Sequence, residues 1–362
     1  MCLPATRDKE QQRSSLGLAW RDLSVTVNNV SALRPCDGAL AGGSFTAVMG
    51  ASGSGKTTLL NALSRRGPLT SGEVRYGGDR SGEGGERWSR ALKRWVAFVP
   101  QDDLFFAGLT VRESLMYAAE LRLPSALTPT ERCAKVEGLI DLLGLSSCAD
   151  TIVGSSDMIE SRGVSGGERK RMCIAVELVT DPHLLFCDEP TSGLDSTMAL
   201  VVTEHLRSLA SKRDLTVICS IHQPSSQTFA CFERLLLLDR GSLIYSGAAA
   251  AAVSVFGGLG CPCPEGFNHS DWFMDVLVRR KLPQDQLDGL TAKARLPPFT
   301  AAAAPSRGSA QGAALRASTA SSLGGDASLP AAYARSWTEQ TSILLRRSWR
   351  LVRAQVFFST VS

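Results

Sequence analysis

A chain of 362 residues, 44% of them apolar, has the bulk for one large core or two modest ones with appendages. Its 39 basic and 35 acidic residues leave a net charge of +4, too small an excess to support nucleic acid as the main partner. The ten cysteines are scattered through apolar segments, and the close pair Cys261 and Cys263 has no second pair or histidines at ligand spacing. Reduced core thiols of a cytosolic domain are therefore expected, not a disulfide framework or a zinc site.

Residues 1–16 form a polar, charged tail with no secretory signal, and nowhere do ~20 apolar residues run together as a bilayer-spanning helix requires. Residues 17–30 alternate apolar and polar side chains as a strand does, a turn is expected from Arg34 to Gly43, and Ser44 to Met49 is a short apolar strand stopping at Gly50. A helix begins at Thr57, with Leu59, Leu60 and Leu63 on one face, and Gly67-Pro68 ends it. Residues 77–90 read as a solvated loop, and Trp95 to Val99 as a strand ending at Pro100-Gln101. Helical periodicity then dominates from Val111 to Val179, with Leu139, Leu142 and Leu143 as one stripe. His183 to Cys187 and Leu215 to Ile221 are buried-strand runs of the parallel-sheet kind, each followed by polar residues where a ligand-facing edge would lie. Leu235 to Asp239 and Ser242 to Ser246 form a hairpin pair.

Residues 281–335 are dominated by Ala, Ser, Gly and Pro and read as a low-complexity linker. In 336–362, Leu345, Trp349, Val352 and Val356 fall on one helical face, with Arg346, Arg350 and Arg353 about a quarter turn round. An amphipathic helix at a membrane surface and a helix packed on its own domain both fit this pattern.

The chemistry starts at the loop between the second strand and the first helix. Gly50, Ser52, Gly53, Ser54, Gly55, Lys56, Thr57 and Thr58 fit the phosphate-loop pattern in the strand-to-helix context it requires. The glycines let successive backbone N–H groups point at phosphate oxygens, and the helix N-terminus adds partial positive charge. Lys56 is placed to reach the β- and γ-phosphates and Thr57 to ligate Mg²⁺. The strand ending at Cys187 delivers two carboxylates, Asp188 for a water-mediated magnesium contact and Glu189 to polarise the water that attacks the γ-phosphate.

Just before that acidic strand, Val164 to Arg171 supplies a serine and two glycines, Ser165, Gly166 and Gly167, at a helix start. This segment resembles the signature of ABC-type ATPases. The resemblance implies an α/β fold of the P-loop NTPase type: a mostly parallel core sheet, an N-terminal antiparallel β subdomain, and a helical insert at about 104–180 carrying the signature, all within 17–280. It also implies that Ser165, Gly166 and Gly167 contact the γ-phosphate held by an opposite subunit, so that one chain cannot complete a site. Three more residues match the family's order. Gln101 corresponds to the loop touching magnesium and the attacking water, His222 to the switch histidine on the γ-phosphate, and Asp195 to the loop crossing the dimer interface.

The stretches Gln101 to Asp103 with Leu109 to Glu113, Arg162 to Arg171, and Asn268 to Asp275 are similar to the G subfamily of half-transporters, though His269 and Ser270 replace its usual Pro and Ala. Thr338 to Arg353 looks like the helix connecting to a first membrane span, and the subfamily's membrane domain is missing from the chain. The resemblance therefore implies an ATP hydrolase using ATP and Mg²⁺. It would work as a homo- or heterodimer with another half-transporter, associated with the cytoplasmic face of a membrane partly through 336–362, and drive export of lipid or other hydrophobic molecules. A non-transporting ATPase or a regulatory dimerisation partner is the alternative. Val27 falls where many relatives offer an aromatic ring to adenine, so weak base stacking is expected.

Overall fold

A computed structural model describes residues 16–77, 85–103, 105–154, 163–279, 281–293 and 336–361. The tail at 1–15 and residues 294–335 of the expected linker lie outside the described residues, as do residues 78–84 of the solvated loop and Arg162.

Two sheets organise the chain. Strands β1 (Leu18–Val27), β2 (Val30–Leu40), β4 (Ser71–Tyr76) and β5 (Glu86–Arg87) form an antiparallel sheet in the order β2-β1-β4-β5. The second sheet runs β10-β9-β3-β8-β7-β6, from β3 (Phe45–Met49), β6 (Val96–Val99), β7 (Leu184–Cys187), β8 (Thr216–Ser220), β9 (Arg234–Asp239) and β10 (Ser242–Ala248). It is parallel from β9 to β6, with β10 added as the antiparallel arm of a hairpin.

The parallel strands are largely apolar, as strands covered on both faces require. Their side chains alternate between two cores, as a period of two requires. Leu185 and Cys187 of β7, Val217 and Cys219 of β8 and Leu235 and Leu237 of β9 join one core. Leu184, Phe186, Ile218, Leu236 and Leu238 join the other, with α1 (Lys56–Leu63) and the antiparallel sheet. In that second core the fully buried Trp20 lies over Gly38, where any Cβ would come within 2.1 Å of the indole ring. Tyr76 is equally buried and donates its hydroxyl to the Leu63 carbonyl at 2.6 Å, tying β4 to the end of α1.

The helical region holds α2 (Val111–Arg122), α3 (Pro129–Leu142) and α4 (Gly166–Leu178). Each opens on a reciprocal cap, Thr110 with Glu113, Thr128 with Glu131 and Ser165 with Glu168, which satisfies first-turn amides that the helix itself cannot. The expected stripe is present: Leu139 and Leu143 are buried and Leu142 partly so. Helices α5 (Ser196–Arg213), α6 (Ser226–Phe229), α7 (Ala249–Gly258) and α8 (His269–Val278) complete the cassette.

Three expectations change. The turn placed at Arg34–Gly43 is mostly strand β2, whose Arg34 and Pro35 sit exposed on a sheet edge, where turn-type residues are tolerated. The loop at 77–90 includes the two-residue strand β5. The linker begins later than residue 281, because Gln284–Lys293 forms α9 and buries Leu287 and Leu290, with Leu282 just ahead of it.

The last helix, α10 (Trp337–Val361), lies along α2. Arg346 pairs with Glu120 at 3.0 Å, Arg350 with Glu113 at 2.9 Å, and the Arg347 guanidinium stacks 4.3 Å over the Phe106 ring, while Ile343 is buried. Trp337, Leu345 and Trp349 remain exposed. Arg346, Arg347 and Arg350 therefore dock the helix on its own domain, while Trp337, Leu345 and Trp349 face outward. Among the described residues no helix is long and apolar enough to cross a membrane.

Candidate nucleotide site

The site lies at the carboxyl ends of the parallel strands, where open α/β sheets place their ligands. From Met49, the chain turns through Gly50 to Gly55 and enters α1 at Lys56. The turn is built for glycine at Gly50, whose Cβ would lie 2.4 Å from both the Leu238 carbonyl oxygen and Ser54 Oγ. No side chain caps α1, so its first-turn amides are left for an anion. Lys56 is 6% exposed and donates to the carbonyl oxygens of Gly50 at 2.9 Å and Ala51 at 3.0 Å, which folds its ammonium back over the loop. Burial pulls the Lys56 pKa below the ordinary lysine value, against the opposing pull of Glu189 and Asp188.

Register supplies the acidic half. Cys187 of β7 pairs with Cys219 of β8, so the next residues, Asp188 and Ser220, lie side by side. Ser220 donates to Asp188 Oδ1 at 2.5 Å and accepts the backbone N–H of Glu189 at 2.7 Å. Thr57 donates to the same Asp188 oxygen at 3.1 Å, joining the phosphate loop to the acidic strand. Glu189 sits at a φ of +46°, a strained conformation for a non-glycine residue, and its carboxylate accepts from Gln101 Nε2 at 3.0 Å.

These groups surround one cleft of about 700 Å³ lined by Ser52, Gly53, Gly55, Lys56, Thr57, Thr58, Gln101, Glu189 and His222, within the range of small-molecule sites. Gly50, Ser54 and Asp188 do not line it but are linked to it through the contacts of Lys56, Gly50 and Thr57. Ser165, Gly166, Gly167 and Asp195 are not brought to the cleft. Ser165 caps α4, and the Asp195 carboxylate caps α5 by accepting from the N–H groups of Thr197 and Met198 at 2.9 Å each. Val27, at the end of β1, is 48% exposed.

Sequence reading missed Ser220, Ala32 and Thr191, which also line or brace the cleft, whereas Ser192 and Gly193, which line it too, belong to the loop of Asp195 that the resemblance assigns to the dimer interface. A lone hydroxyl ending an apolar strand beside the acidic strand was the available signal for Ser220. Ala32 is placed by folding of the β1–β2 hairpin and Thr191 by the turn after β7, and neither carries a local motif.

The donors on offer to a metal are a threonine hydroxyl, a glutamine amide and a carboxylate, all hard oxygen ligands of the kind magnesium takes. No cluster of three or more His, Cys, Asp or Glu fit to hold a metal occurs among the described residues.

Comparison with known proteins agrees with this geometry. The family described as "ABC transporter" matches residues 33–192, and the family described as "ABC-2 type transporter" matches residues 222–296. The chain is 42% identical over 258 residues to "ABC transporter G family member 16" of Arabidopsis thaliana, an alignment covering 71% of this chain and 34% of that protein. It is 44% identical over 268 residues to "ABC transporter G family member 11" of the same plant, covering 72% and 36%. To "Protein white" of Drosophila melanogaster it is 42% identical over 262 residues, covering 72% and 38%. The chain spans little more than a third of the length of these relatives. Phosphate loop, acidic strand, signature helix and these likenesses together assign the chain to the ABC transporter family, as a nucleotide-binding cassette similar to those of G family members.

Proposed function

We propose that this cassette binds MgATP between two copies, or between itself and a related half-transporter, and hydrolyses it to drive export of lipid or other hydrophobic molecules. The observation that carries this reading is the split of the machinery. Lys56, Thr57, Gln101, Asp188, Glu189 and His222 converge on one cleft or its wall, while the signature residues Ser165 to Gly167 stand away from it. Their anion-binding character would be met by a nucleotide on a second cassette.

In that arrangement the phosphate-loop amides and Lys56 hold the β- and γ-phosphates, and His222 is the further γ-phosphate contact. Thr57, Asp188 and Gln101 would hold the magnesium, directly or through water, which neutralises phosphate charge. Glu189, with its backbone fixed by Ser220 and its carboxylate steadied by Gln101, accepts a proton from the attacking water. Helix α10, docked on α2 by its arginines, offers Trp337, Leu345 and Trp349 to the cytoplasmic membrane surface. Glu189→Gln should lower turnover by about 100-fold or more, the scale of a general base, while ATP still binds. Unchanged turnover would remove Glu189 from the mechanism.

A further inference from the structure

The signature helix α4 carries a buried cation with no obvious work in the fold. Lys170 is 4% exposed, and its ammonium donates to the Gln101 carbonyl oxygen at 2.5 Å and to Asp103 Oδ1 at 2.7 Å. Cys173, three residues further along the helix, donates its thiol to the same Asp103 oxygen at 3.0 Å. Burial, with Asp103 beside it, pushes the Cys173 thiol well above its ordinary pKa and keeps it a donor.

Burying an ion pair costs several kcal/mol per ion in lost hydration, and well-packed apolar residues of similar volume often serve stability as well or better. Cys173 and Ile174, three and four residues on and so on the same side of α4, are buried, so an apolar residue at 170 would suit the helix. What the lysine adds is a tie between two pieces of machinery. Its helix begins at Ser165 to Gly167, the groups assigned to a nucleotide on the other cassette. Its ammonium grips the backbone of Gln101, whose side-chain amide holds the Glu189 carboxylate at 3.0 Å. A short chain of contacts therefore runs from the outward-facing signature to the base of the chain's own site.

We propose that Lys170, with Asp103, is a positioning residue that couples the two nucleotide sites of the dimer. A shift of α4 on engaging the opposite nucleotide is transmitted through Lys170 to Gln101 and sets Glu189 for catalysis. This rests on the dimeric reading above. Lys170 touches neither nucleotide nor water itself.

The test is the dependence of steady-state hydrolysis on MgATP concentration in the parent chain, Lys170→Met, Asp103→Asn and the double variant. Two coupled sites give the parent a Hill coefficient above one. Lys170→Met should bring it to about 1 and lower kcat about fivefold or more, the scale of a typical coupling. Removing one partner of a buried pair should lower the thermal unfolding midpoint of each single variant, but ATP affinity of the single cassette should stay near the parent's, and the Hill coefficient is the readout that a merely structural role would not move. Asp103→Asn should act in the same direction, and the double variant should be no worse than Lys170→Met alone. A Lys170→Met chain that keeps the parent's Hill coefficient and kcat, while Glu189→Gln still dimerises with ATP, overturns the coupling alone. A Glu189→Gln chain that stays monomeric with ATP overturns the dimeric reading and the coupling with it.

Discussion

Replacing Ser220 with alanine removes one oxygen atom from the floor of the nucleotide site, and the structure sets the size of the effect. That oxygen is buried, donates to the Asp188 carboxylate at 2.5 Å and accepts the Glu189 N–H at 2.7 Å. A hydrogen bond to a charged group contributes about 1.5–3 kcal/mol, and a buried N–H left without its acceptor costs about 1–3 kcal/mol. The two losses share one atom and do not add fully, so about 3 kcal/mol is expected. For a domain of this size that is a fall in Tm of roughly 6–12 °C. Glu189 is also held at a positive φ, so loss of its N–H contact frees the backbone to relax and carries the carboxylate off its mark. A misplacement on the ångström scale costs catalysis up to about 100-fold, and a fall in kcat of at least about tenfold is expected. Thermal unfolding and steady-state ATPase assays on the same preparation measure both. A Ser220→Ala chain with Tm within about 2 °C of the parent and kcat within about twofold would refute the reasoning.

Because Val27 offers no aromatic ring to the base, ATP and GTP should bind within about tenfold of each other, a difference under about 1.4 kcal/mol, and a larger ratio by equilibrium titration would contradict this. Acid should loosen the signature cap. Burial raises the Glu168 pKa, but the Ser165 backbone and hydroxyl hydrogen bonds outweigh it and hold the carboxyl below its ordinary value near 4.5. A lowered folded pKa contributes stability that is complete above the ordinary value and is lost as pH falls below it toward the folded pKa. The stability advantage of the parent over Glu168→Gln, followed by thermal unfolding from about pH 6 to pH 3.5, should therefore shrink below about pH 4.5; a constant gap would count against the cap.

The site was legible where chemistry is local. Gly50 to Thr58 needs glycines, a lysine and hydroxyls in one short run, and Asp188 and Glu189 stand at the end of an apolar strand, so both halves could be found without a fold. Ser220 could not, because its role comes from strand register, which pairs β7 with β8 across a gap of about 30 residues. Strand β2 reads as a turn because Pro35, Asp37 and Gly38 are turn-forming types, whereas the fold uses the proline on an exposed edge and the glycine to admit Trp20. For α10 the amphipathic pattern was plain, yet its two uses were indistinguishable until Glu113 and Glu120 were seen to receive the arginines.

The claim at the centre of this account is that one cassette's signature closes the other's site. Its most direct measurement is the mass in solution of the Glu189→Gln chain, by sedimentation with and without MgATP, alongside the same chain carrying Ser165→Glu. The account predicts a dimer with MgATP and a monomer without it for Glu189→Gln. With Ser165→Glu added, the carboxylate at the signature repels the opposite γ-phosphate, and the chain should stay monomeric while still binding nucleotide. A double variant that dimerises as readily as Glu189→Gln alone would contradict the account.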